Sequence, residues 1–200
     1  MSVHAYAATT DAFAPEYLAM LGKAIQQSRY FTTNNLNRDF IGTKGFSVVF
    51  TRQRIARVAA EFECFAPYLE RTLRSDCNAF YLNPLQMQSG SRVDPHIDRS
   101  LRSYCKDIAT PVQVAVLYIS VPNSMQGGRL VLQRGKRVLA RVQPQANLLV
   151  MFDGDLTHSV ERVDSDGLRL SLVCEQYALD ERELSQVPDY AVETRARSYD

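Results

Sequence analysis

At 200 residues, 46% of them apolar and 22% charged, the chain is long enough to bury a core in one domain without disulfides or a structural metal. The same balance excludes a disordered or fibrous class. Lys and Arg total 23 against 22 Asp and Glu, and this net charge of +1 argues against whole-surface attraction to nucleic acid or anionic membrane.

In chain order, residues 11–28 place Leu18, Leu21 and Ile25 at helical spacing behind Asp11 as candidate cap, which predicts an amphipathic helix. A second helical stretch runs from Thr51 to Arg74, with Ile55, Val58, Phe62 and Phe65 on one stripe and Pro67 as a kink or division. From Asn78 the texture changes to short apolar or alternating runs broken by Gly, Pro, Asn and Asp. Strands are predicted at 79–88, 112–121, 129–133, 137–142, 146–152, 157–163 and 168–177, with QRGKRV as a hairpin turn. Most of these runs leave no room for helices between them, so an antiparallel sandwich or barrel is expected rather than a βαβ sheet. The expected organisation is a single domain, 1–200: helical support over 1–77, a β core over 78–178 and a polar tail over 179–200.

The longest apolar runs, VAVLYISV and LLVMF, are strand-sized, far short of the roughly 20 residues of a membrane helix. MSVHAYAATTDAF lacks the basic and apolar segments of a secretory leader, so a cytoplasmic location is expected. Cys64, Cys77, Cys105 and Cys174 include no close pair, so reduced, mostly buried thiols are expected rather than a zinc site or redox dithiol.

The stretch RVDPHIDRSL carries His96 and Asp98, two apart and able to face one ion from an extended backbone. Alone the pair is a weak signal. The only other histidine outside the extreme N-terminus, where His4 lies, is His158 in FDGDLTHSV, at the start of a predicted strand. Two His and one carboxylate form the facial set that leaves positions open on non-haem Fe(II). Eleven residues later, in GLRLSLVCEQY, comes Arg169, whose fork suits bidentate binding of a carboxylate, with Ser171 on the same strand face.

This order, His-x-Asp, about 60 residues, His, then Arg-x-Ser, resembles the Fe(II)/2-oxoglutarate-dependent dioxygenases, and within them the prolyl-hydroxylase-like group. The resemblance covers roughly Ala79 to Tyr177. It includes LQMQSGSRVDPHID before the metal pair, VAVLYISVPNSMQGGRLVL with its Gly-Gly-x-Leu strand, and VQPQANLLVMFDGDLTHSV, where Asn147 replaces the usual glycine. Asn is tolerable there because it accepts left-handed backbone geometry. The implied fold is mainly β, a double-stranded β-helix (jelly roll) core with N-terminal helices packed on one sheet. The implied cofactors are Fe(II) on His96, Asp98 and His158, 2-oxoglutarate as cosubstrate on Arg169 and Ser171, and O2. The implied outcome is hydroxylation of an aliphatic C–H, of a free or peptidyl amino acid such as proline. Retention of Asp98 favours this over halogenation. Tyr118 and Gln86 are the candidates for a further cosubstrate contact, with Tyr81 and Asn83 behind them.

Each feature also has a structural reading. His96 and Asp98 could form a surface turn, His158 a satisfied core histidine, Arg169 a buried salt bridge and Ser171 a plain buried hydroxyl. Gly127-Gly128 reads as turn chemistry, and the basic hairpin RLVLQRGKRVLAR as a solvated face. Arg92, Arg99, Arg102 and Lys106, with Tyr104 among them, flank the metal pair. If they line the mouth, the substrate carries a carboxylate or is an acidic peptide; a solvated loop is the alternative. Competing functions are a cupin-like metal-binding protein without 2-oxoglutarate turnover, which would have no reason to keep Arg169, and a nucleic-acid dealkylating dioxygenase. Near-neutral charge and the absence of Trp speak against nucleic acid.

Overall fold

A computed structural model of the protein describes residues 5–33 and 39–195; His4 lies outside them. Strand β1 (Tyr6–Thr9) leads to helix α1 (Pro15–Gln27), which buries Leu18, Leu21 and Ile25. Asp11 is not its cap: the helix starts at Pro15 behind Ala14, and Asp11 sits in a left-handed turn at φ 50°. Short strands β2 (Thr32–Thr33), β3 (Phe40–Ile41) and β4 (Lys44–Gly45) precede β5 (Ser47–Thr51), which is buried at every position.

The predicted helix over 51–74 is two helices, α2 (Ile55–Glu61) and α3 (Ala66–Thr72). The break falls at Phe62, whose backbone (φ −128°, ψ 68°) leaves the helical region, and Pro67 sits in the first turn of α3, where its missing N–H costs nothing.

The core strands follow as β6 (Ala79–Met87), β7 (Arg92–His96), β8 (Gln113–Ser120), β9 (Leu130–Arg134), β10 (Arg137–Val142), β11 (Leu149–Asp153), β12 (Thr157–Val160) and β13 (Arg169–Tyr177). The predicted strands are all present, displaced by a few residues at their ends. The described part of the tail, 179–195, carries two elements: α4 (Glu181–Leu184) starts with a capping box between Asp180 and Glu183, and β14 (Tyr190–Glu193) pairs with β5.

Two antiparallel sheets face each other. The larger runs β1-β11-β8-β13-β6-β4-β2, with β5 joining β6 to β14; the smaller runs β10-β9-β12-β7-β3. This is the double-stranded β-helix, and residues before 78 supply strands to both sheets as well as helices. β13 is flanked by β6 and β8, so both of its edges are hydrogen-bonded within the sheet. One face, with Leu170, Leu172 and Cys174, packs with Leu82, Leu117 and Ile25 beneath the helices. The other points between the sheets, where Val114, Val116, Leu130, Leu132 and Val160 form a second core.

Asn147 adopts φ 66°, as the sequence suggested, and also ties down the N-terminal segment. Its side-chain carbonyl accepts from the Phe13 N–H at 2.9 Å, and its amide donates to the Phe13 carbonyl at 2.7 Å. All four cysteines are free thiols, three of them buried. The basic hairpin is solvated and partly ion-paired, Arg134 with Asp153 and Asp155, and Arg129 with Glu161. No helix among the described residues is long and apolar enough to cross a membrane.

Candidate active site

The site lies between the sheets, where β7 and β12 are neighbours. His96 ends β7 and pairs in register with His158 of β12, which sets the two rings 4.4 Å apart, centroid to centroid. Asp98, two residues past His96, turns back between them. Its Oδ1 is 3.1 Å from His96 Nε2 and its Oδ2 is 3.3 Å from His158 Nε2. Each Nδ1 faces a backbone carbonyl, that of Asp94 at 2.8 Å and that of Leu156 at 3.2 Å. A carbonyl can only accept, so the Nδ1 positions carry protons and both Nε2 atoms are turned to the common point. The three ligand atoms lie within 4.8 Å of one another. Phe40 and Phe152 pack against the two rings at 5.5 and 5.1 Å and screen them from water.

Electrostatics suit a cation. Burial opposes charge on His96, but the Asp98 carboxylate beside it raises its pKa to about 9. Burial likewise works against ionised Asp98, yet the two imidazoles hold its carboxyl well below the usual range.

From the triad a cleft of about 550 Å³ opens toward Arg169 on one side and Glu175 on the other. Arg169 is 2% exposed and has no carboxylate partner among the described residues. Its Nη1 donates to the Gly128 carbonyl at 2.7 Å, and its guanidinium lies 4.9 Å from the centroid of the Tyr118 ring. Gly128 has φ 65°, so this turn also supplies the carbonyl that holds Arg169. Burial lowers the guanidinium pKa and raises that of the Tyr118 phenol. Ser171 pairs in register with Tyr118. Among the described residues, four buried side-chain polar atoms lack a hydrogen-bond partner; three are Tyr118 Oη, Arg169 Nε and Ser171 Oγ. Such orphans are costly unless a ligand completes them; Tyr118 and Arg169 line the cleft, whereas Ser171 is fully buried and is not among its lining residues.

Tyr81 and Asn83 line the cleft. Gln86 does not, which corrects the sequence-based expectation. It falls on the opposite face of β6 from Tyr81, Asn83 and Leu85, and borders a separate groove with Lys44 and Leu168. Of the basic residues around the metal pair, Arg99 and Arg102 line the mouth, whereas Arg92 is ion-paired to Asp94 at 2.9 Å and Lys106 lies outside the cleft. Reading the sequence missed three acids in the lining: Asp39, just before β3, Glu175, on the inward face of β13, and Glu193, brought there by β14. Glu175 carried a readable signal, since it lies six residues after Arg169 and shares its face.

A family model for the 2OG-Fe(II) oxygenase superfamily matches residues 82–174, the segment that holds the triad and Arg169. The match covers just under half of the chain and, together with the convergent His-Asp-His set, supports a 2-oxoglutarate-dependent dioxygenase that uses Fe(II), 2-oxoglutarate and O2. That match speaks against the cupin-like alternative. No curated protein matches the sequence significantly. Among solved structures, a prolyl-4-hydroxylase from Pseudomonas putida is 18% identical over 90% of this chain and 95% of its own, with a TM-score of 0.61. A prolyl hydroxylase from Trichoplax adhaerens, in complex with a hypoxia-inducible-factor peptide, is 16% identical over 92% and 87%, at 0.59. HygX from Streptomyces hygroscopicus, with nickel, 2-oxoglutarate and hygromycin B bound, is 14% identical over 88% and 84%, at 0.53. These likenesses support the prolyl-hydroxylase-like fold.

Proposed function

We propose that the protein hydroxylates an aliphatic C–H of a carboxylate-bearing substrate, most simply an amino acid, free or within a peptide, as proline is in the prolyl hydroxylases it resembles. The observation that carries the cosubstrate part is the trio of orphaned donors beside a convergent His-Asp-His set. In this reading His96, Asp98 and His158 hold Fe(II), with both Nε2 lone pairs and the carboxylate turned to the ion. Arg169, Tyr118 and Ser171 hold the distal carboxylate of 2-oxoglutarate. Bound Fe(II) and 2-oxoglutarate supply the oxidising chemistry, in which O2 is consumed, the cosubstrate leaves as succinate and CO2, and one oxygen atom enters the substrate C–H. The chain's own task is positioning. β13 fixes the cosubstrate end, β7 and β12 fix the imidazoles, and the apolar wall of Leu130, Val160 and Phe152 excludes water.

The substrate end of the cleft has Arg99 and Arg102 at its mouth, both exposed and with no ion pair among the described residues. They suit an incoming carboxylate. The test is to follow succinate release against free amino acids and proline-containing peptides, and to locate the added oxygen by mass spectrometry. The Arg99→Ala/Arg102→Ala variant is expected to raise KM for the best substrate roughly tenfold or more, the loss of one charge-assisted hydrogen bond. Uncharged substrates turning over as well as carboxylates in both proteins would overturn the carboxylate assignment.

A further inference from the structure

Strand β13 presents Arg169, Ser171, Val173 and Glu175 in turn to one face. The first two belong to the cosubstrate end. Glu175 lies about 20 Å farther along the strand, beyond the metal side chains, and nothing in the proposed chemistry uses it. It is 4% exposed, with no cationic partner among the described residues. Donors surround it: the Ser100 hydroxyl on Oε1, and on Oε2 the Ser100 N–H at 3.2 Å and the Tyr177 hydroxyl.

Ser100 is the significant partner. It stands two residues after Asp98, at the start of the 3-10 turn Ser100–Ser103, and Arg99 between them, at φ −154° and ψ 48°, is neither helical nor extended. The strand ends at His96, so the ligand-bearing turn at 97–99 is held on its near side by the β7–β12 ladder. On its far side Glu175 grips Ser100 by both main chain and side chain. One strand thus anchors both halves of the proposed site, the cosubstrate through Arg169 and the carboxylate ligand through Ser100.

We propose that Glu175 is a positioning residue that holds the Asp98 turn in its metal-binding geometry through Ser100. This rests on the triad being the metal site. Glu175 does not touch the ligand atoms by hydrogen bond, so its effect must appear in metal affinity and not in cosubstrate affinity once metal is saturating. A residue that served only to complete the core would change neither.

The test is an anaerobic titration of metal-free full-length protein with Fe(II), by competition with a chromogenic chelator, for wild type, Glu175→Gln, Ser100→Ala, the double variant and His158→Ala. Glu175→Gln keeps the shape but turns one acceptor into a donor facing other donors. It is expected to weaken Fe(II) binding about tenfold to a hundredfold, the usual size of an outer-shell effect on a metal ligand. Ser100→Ala is expected to weaken it roughly threefold to tenfold, the loss of one hydrogen bond. The double variant should be no weaker than Glu175→Gln alone, since both act through one contact. The 2-oxoglutarate affinity at saturating Fe(II) should not change in any of them. Wild-type Fe(II) affinity in both single variants, whatever their melting temperatures, would overturn the proposal. Should Glu175→Gln not fold, Ser100→Ala decides alone. If wild type binds Fe(II) no better than His158→Ala, the metal reading itself fails and takes this proposal with it.

Discussion

A buried guanidinium without a carboxylate is an expensive thing for a fold to keep. Arg169 has one bond to a backbone carbonyl, one aromatic face and an unpartnered Nε. Replacing it by methionine removes the desolvation cost along with the charge. We therefore expect Arg169→Met to lose 2-oxoglutarate affinity by about a hundredfold, roughly the 3 kcal/mol of two charge-assisted hydrogen bonds. The melting temperature of the ligand-free variant should stay level or rise. Isothermal titration and calorimetric melting check this pair, and the reverse pattern would make Arg169 a structural bridge. His96 gives a second prediction at this scale. With its pKa near 9 in the metal-free protein, the ring is protonated at neutral pH, so a metal must displace that proton. Apparent Fe(II) affinity should then rise with pH, by up to about tenfold per unit, until pH 9, and binding at pH 7 should release a proton, as titrations in buffers of different ionisation enthalpy would show. The sign for stability is opposite. The folded value lies above the ordinary 6.5, so the His96–Asp98 pair stabilises metal-free protein fully below that pH and loses its contribution as pH rises through about 9.

Elements explain what could and could not be read in advance. His96, Asp98, His158 and Arg169 were legible because these residue types are rare in apolar strands and their chemistry restricts their purpose. Gln86 was not. Every residue of β6 is buried, so the alternation that normally reveals which side faces inward is absent. Strand β5 is also buried throughout, and SVVFT, with three apolar residues in a row, lacks the period-2 signal of a strand. Strand β14 escaped for the contrary reason: YAVE is half-exposed, and only its pairing with β5 makes it a strand. Asn147 is where local and long-range constraints meet, at the turn between β10 and β11. Asn147→Gly keeps the left-handed backbone but drops two bonds to Phe13, and should cost about 1–3 kcal/mol. Asn147→Ala loses both and should cost about 1–3 kcal/mol more, as urea melts would measure. Equal costs would mean that backbone geometry is not what the asparagine supplies.

At the scale of the molecule, the sheets form a clamp with polar donors left open inside it. Ligands that fill such a site stabilise the native state by mass action. Each ligand at a hundred times its Kd adds about 2.7 kcal/mol, or roughly 5–10 °C in melting temperature for a chain of this size. Adding Ni(II), which does not turn over, and then 2-oxoglutarate should therefore raise the midpoint in two steps. Arg169→Met should keep the first step and lose the second, and His158→Ala should lose both. A single step unaffected by Arg169→Met would separate cosubstrate binding from β13.

The central claim is that one ion on His96, Asp98 and His158 shares its site with 2-oxoglutarate held by Arg169. The most direct measurement is anaerobic: add Fe(II) and then 2-oxoglutarate to metal-free protein, and record the visible metal-to-ligand charge-transfer absorption of the chelate. The account predicts that the band forms in wild type, is absent in His158→Ala, and needs far higher 2-oxoglutarate in Arg169→Ala. Iron binding without the band, or a band of equal strength in all three proteins, would contradict it.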